Sequence, residues 1–100
     1  MKKGDKYAMD NSPARFLPGA VCATPAALEV LSRAHLLQLL ERHLRGDWGD
    51  TCKNGRIANE RAICNGDRIV SWYQLSGKTR VLIITEADRS ATTIMLSEEY

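Results

Sequence analysis

The sequence predicts an α+β fold: short N-terminal helices packed on a C-terminal three-stranded antiparallel β-meander. Three observations carry this expectation. β-branched and aromatic residues crowd into three runs of the last third, 68–75, 79–85 and 92–96. Ser76-Gly77-Lys78 and Glu86-Ala87-Asp88-Arg89-Ser90 separate those runs with turn-forming residues. Ahead of them, residues 25–45 carry leucines at helical spacing behind Thr24-Pro25. A bare sheet of this size cannot bury enough apolar area, so helices must cover one face.

Each element has a local cause. Residues 1–13 are polar, with Gly4, Asn11, Ser12 and Pro13, and read as a flexible leader to one domain over 14–100. Arg15–Cys22 is apolar and extended in character. Pro18 cannot donate to a ladder, so if this segment pairs, it is an edge strand or one broken at Pro18-Gly19. Thr24 caps a helix start and Pro25 fits its first position. Gly46 is its stop. One straight amphipathic helix between them is disfavoured, because Leu37, Leu40 and Leu44 fall about 120–180° from Leu28 on a helical wheel. Two helices, 25–33 and 35–45, with a break near Arg33-Ala34-His35, fit better. A further helix is expected within 54–64, ended by Asn65-Gly66. In the strand 68–75, Trp72 and Tyr73 point to opposite faces.

Composition narrows the function. One hundred residues with 14 basic and 12 acidic side chains, net charge +2 and 44% hydrophobic content describe one ordinary globular domain. Each half carries seven basic and six acidic residues, so neither end is a charged tail and a strongly basic nucleic-acid binder is disfavoured. No stretch is long and apolar enough to span a bilayer, and no apolar run follows the N-terminal lysines. Cys22, Cys52 and Cys64 are odd in number and lack a CxxC pair, which suits a reducing cytoplasm. They match no zinc spacing with His35 and His43, which lie about 80° apart on one helix. No metal or cofactor is therefore expected.

No phosphate loop, nucleophile elbow or HExxH motif is present. His43, beside Arg42 and Arg45, reads as a partly exposed residue at a helix C-terminus. Glu60, Glu86 and Asp88 form a carboxylate site only if they converge and one is buried. Turn chemistry is the simpler account of Asp88 and Arg89. Trp48, inside Gly46-Asp47-Trp48-Gly49-Asp50, is either a lid on the core or an exposed aromatic anchor.

The segments Ala23-Thr24-Pro25-Ala26-Ala27-Leu28, Arg42-His43, Gly46-Asp47-Trp48-Gly49, Ala58-Asn59-Glu60-Arg61-Ala62 and Ile83 to Thr93, with Thr85-Glu86-Ala87-Asp88-Arg89-Ser90 the most specific, give a resemblance covering about 16–100. The chain resembles small plasmid-related proteins of bacterial mobile elements, sometimes labelled type I restriction subunits. It departs from them at Ala34-His35, where a glycine-containing break is expected, and over Cys52 to Gly55, which lacks an acidic run. The resemblance implies mobile-element cargo and, by analogy of genomic setting, an inhibitor of a host defence complex of anti-CRISPR or anti-restriction type. Its partner would be a host protein or ribonucleoprotein, bound through Arg45, Asp47, Trp48, Asp50, Glu60, Glu86, Asp88 and Arg89. Trp48 would be the anchor and the charges would set orientation. The other reading is a RelE/ParE-like ribonuclease toxin, whose strand–helices–meander order is similar. There Arg68, Tyr73, Lys78, Arg80 and Arg89 would act on messenger RNA, with Tyr73 or Arg80 as acid–base group. The small net charge counts against it.

Overall fold

A computed structural model describes residues 13–100. The expected leader lies almost wholly outside the described residues. The chain folds as β1 (Ala20–Ala23), α1 (Pro25–Val30), α2 (Arg33–Leu44), α3 (Lys53–Asn65), β2 (Ile69–Gln74), β3 (Arg80–Thr85) and β4 (Ala91–Leu96), closed by a 3-10 turn Ser97–Glu99. The α+β class holds.

The sheet, however, has four strands and is mixed, in the order β1-β4-β3-β2. β2, β3 and β4 form the antiparallel meander, but β1 extends it by pairing in parallel with β4, Ala20 against Ala91 and Ala23 against Ile94. The strand sits later than the apolar run 15–22 suggests. Pro18 has no N–H, and Gly19 turns the chain at φ 65°, so pairing begins only at Ala20, whose N–H reaches the Ser90 carbonyl at 3.0 Å.

Helix placement also differs in detail. Thr24 accepts from the Ala27 amide at 3.2 Å, with Pro25 at the first helical position, as the sequence implies. The break before α2 falls earlier than expected because Ser32 caps it, accepting from the His35 amide at 3.0 Å. At the end of α2, the Gly46 amide bonds to His43 O and the Asp47 amide to Arg42 O, a Schellman closure around the left-handed Gly46. Gly66, at φ 74°, ends α3.

Side chains alternate across the sheet. One face sends Tyr73, Val81, Ile83, Ile94 and Leu96 into a core with Ala27 of α1, Leu31 at its C-cap and Leu39 of α2. A second cluster, Phe16, Trp48, Ala62 and Ile69, joins the chain entry, the α2–α3 loop and α3. α3 runs beside β2 instead of over the sheet: Asn59 accepts from the Val70 amide at 3.1 Å and donates to its carbonyl at 2.7 Å. The loop before α3 completes the closure of this edge. The Asp50 amide donates to Trp72 O at 2.7 Å, Thr51 Oγ1 accepts from the Trp72 amide at 3.0 Å, and Asp50 Oδ2 accepts from the Gln74 amide at 2.7 Å. Both backbone groups of Val70 and Trp72 and the amide of Gln74 are thereby satisfied along the β2 edge.

Candidate functional site

The predicted site residues divide into three groups. The first surrounds Trp48. Its indole is 4% exposed, stacked on Phe16 at 6.2 Å and edge-on to His43 at 6.0 Å. Of the two readings of Trp48, the structure shows the core lid; the indole is not an exposed anchor for a partner. The two glycines beside it let the loop fold inward, and a Cβ on Gly49 would collide with Trp72 O and the Tyr73 ring. The indole nevertheless touches the surface through one bond, from Nε1 to Glu60 Oε2 at 3.0 Å. Arg15 grips the same carboxylate with two bonds, at 2.8 and 3.0 Å. The Arg15 bonds, then the indole bond, hold the Glu60 carboxyl below its ordinary pKa. Both charged side chains stay largely exposed, at 40% and 50%.

Asp47 and Arg42 form the second group. Arg42 Nε meets Asp47 Oδ2 at 2.8 Å, and that bond raises the guanidinium pKa. Asp47 Oδ1 also accepts from the Gly49 amide at 3.2 Å. Below them, Tyr73 donates its hydroxyl to Asp47 O at 2.7 Å, under the Arg42 guanidinium at 4.8 Å. Burial raises the Tyr73 pKa, and at 1% exposure the ring cannot reach a substrate. Its proposed acid–base role fails on that geometry. Arg45, at the C-cap of α2, lies 4.0 Å from Glu41. Asp50 is committed to the β2 edge.

The third group is the β3–β4 turn. Arg89 has φ 61°. Its guanidinium bonds the carbonyls of Asp67 at 2.7 Å, Ala62 at 2.9 Å, Ala87 at 3.1 Å and Glu86 at 3.2 Å. It also lies 5.7 Å from the Phe16 ring. Arg89 therefore stitches the turn to the end of α3. Glu86 is 3.8 Å from Arg68. Asp88 accepts from the Ser90 amide at 2.9 Å, and Ser90 holds its carboxyl below the ordinary range. Glu60, Glu86 and Asp88 each have a separate partner, so they form no shared carboxylate site.

Sequence reasoning missed His43. It is fully buried, not partly exposed. Nδ1 lies 2.6 Å from Ser71 Oγ and Nε2 lies 2.9 Å from Thr85 Oγ1. Thr85 Oγ1 is 2.7 Å from Thr92 Oγ1, whose hydroxyl donates to Pro18 O at 2.8 Å. That last bond orients the row. Thr92 gives its proton to Pro18, so it accepts from Thr85. Thr85 in turn accepts from His43 Nε2–H, leaving Nδ1 to accept from Ser71. Burial pushes the imidazole pKa down to about 3. A signal existed in the sequence: His43 follows Leu36 and Leu39 at helical spacing on the core face of α2.

Trp72 is half-buried on the face away from α1 and α2, edge-on to Tyr100 at 6.4 Å. Arg80 on the same side binds Gln74 Oε1 at 3.0 Å. Among the described residues no cluster of three His, Cys, Asp or Glu side chains is placed to hold a metal ion. No helix among them is long and apolar enough to cross a membrane. Comparison with protein-family models, curated proteins and solved structures gave no match.

Proposed function

We propose that this chain is an interaction protein of a mobile genetic element, inhibiting a host defence complex of CRISPR or restriction type by covering part of its surface. The observation that supports it is the set of exposed charges held on rigid supports. Glu60 is fixed by Arg15 from outside and by the buried indole from beneath. Asp47 is fixed by Arg42 and a backbone amide. Side chains already ordered lose little freedom on docking, and fixed opposite charges impose orientation on a partner. Trp48 contributes as the support of Glu60, while Arg15 and Arg42 join the predicted set. The reading places the protein in the cytoplasm of the host, beside a protein or ribonucleoprotein partner.

The test is phage plating on a strain with an active CRISPR or restriction system. Expression of the chain should restore plaques, and Arg15→Glu combined with Asp47→Lys should abolish restoration while far-UV circular dichroism is unchanged. No restoration in either kind of host, or restoration that survives both substitutions, overturns the reading. The ribonuclease reading keeps Arg68, Lys78 and Arg80 exposed but loses Tyr73 and Arg89 to internal bonds. Growth arrest on expression, relieved by Arg80→Ala, would favour it instead.

A further inference from the structure

The two edges of the sheet are treated differently. At β2 the outward groups of Val70 and Trp72 and the Gln74 amide are taken by Asn59, Asp50 and Thr51. At β1 nothing comparable occurs among the described residues. The Ala20 and Thr24 amides point to β4, bonding Ser90 O and Ile94 O. By alternation, Val21 and Ala23 turn their N–H and C=O groups outward. The strand carries no charge and no proline, the usual guards of an exposed edge. Beside it opens an apolar groove of about 500 Å³, lined by Val21, Leu28, Leu31, Leu36 and Leu37, with Arg33 on its wall. Val21, Leu28 and Leu37 are 43%, 56% and 49% exposed.

We infer that a second copy of this chain occupies this edge, its β1 pairing antiparallel with the first about a two-fold axis through Cys22. The edge is self-complementary in that register. Val21 of each copy faces Ala23 of the other, and all four outward N–H groups find carbonyls. The two-fold axis is normal to the sheet, so both helical layers lie on one side. Exposed Leu28 and Leu37 of each copy then cover one another. Charge agrees: Glu29 and Arg33 form no ion pair among the described residues, and a two-fold patch bearing both signs does not repel itself. A foreign peptide could use the backbone groups, but only a second copy also brings a matching apolar helix pair. Cys22, exposed on the opposite face, becomes a non-hydrogen-bonded cross-strand pair with its mate. Such pairs have Cα atoms about 4.5 Å apart, within disulfide reach.

Sedimentation velocity on the full chain should give a species of twice the 11.2 kDa chain mass, dissociating on dilution. Leu28→Glu should leave a monomer with unchanged circular dichroism. Diamide, which takes up two hydrogens as two thiols join, should cross-link a Cys52→Ser, Cys64→Ser chain, which keeps only Cys22. It should leave a Cys22→Ser, Cys64→Ser chain monomeric on non-reducing gels. A wild-type monomer at every concentration, a Leu28→Glu dimer, or no selective cross-link through Cys22 would overturn the inference. Because the readout is mass, failure here leaves the plating result standing, and the reverse also holds.

Discussion

His43 shows how burial turns a titratable side chain into a structural one. The imidazole, which accepts from Ser71 and donates to Thr85, is held neutral by burial, which penalises its charged form. Its pKa falls from the ordinary 6.5 to about 3 on folding. Between those values the unfolded chain binds a proton that the native chain does not. The stabilisation is therefore complete above about pH 6.5 and drains away as pH falls toward 3, about 5 kcal/mol in all for one such group. Urea midpoints should drop from pH 7 to pH 5.5, a range above most of the carboxylate titration. His43→Gln should lower the midpoint at pH 7 but flatten that slope. Arg89 sets the opposite problem, a long side chain where the left-handed backbone favours glycine. Arg89→Ala keeps the strain and loses the bonds to four carbonyls, costing roughly 2 kcal/mol. Arg89→Gly loses the same bonds but relieves the backbone, so it should be milder by about 1 kcal/mol. The order of the two urea midpoints checks this.

At the scale of elements, the α3 end of the β2 edge is closed by one amide side chain. Asn59 satisfies both polar groups of Val70. Asn59→Asp keeps the acceptor but sets a carboxylate against Val70 O, so it should destabilise by about 2 kcal/mol, no less than Asn59→Ala. Hydrogen exchange at the Val70 amide should quicken most in the alanine variant. Elements whose signals are local were readable in the sequence. Thr24-Pro25 opened α1, Gly46 and Asn65-Gly66 closed α2 and α3, and the alternation through Trp72 and Tyr73 assigned their faces correctly. The β1–β4 pairing was not readable, since it joins Ala20 to Ala91 across nearly the whole chain. The fate of Trp48 also depended on distant partners, Phe16 and Glu60, which no window around the indole contains. The same holds for Arg89, whose turn residues suggested solvent but whose guanidinium is spent on α3.

At the scale of the whole molecule, side-chain bonds tie distant segments of the chain together. Glu99 Oε1 accepts from both the Thr24 hydroxyl and the Leu96 amide, at 2.8 Å each, linking the described C-terminal turn to the start of α1. Glu99→Ala should therefore lower the thermal midpoint by about 4 °C, if roughly 1 kcal/mol is lost in a domain of this size. A differential scanning trace at neutral pH would measure it. The contrast between the two margins of the sheet has one more consequence. A protein able to accept strands on both sides could chain indefinitely into a fibre. Here the margin blocked by Asn59 and Asp50 leaves β1 as the one open strand edge among the described residues, so pairing through it ends at two copies and cannot propagate.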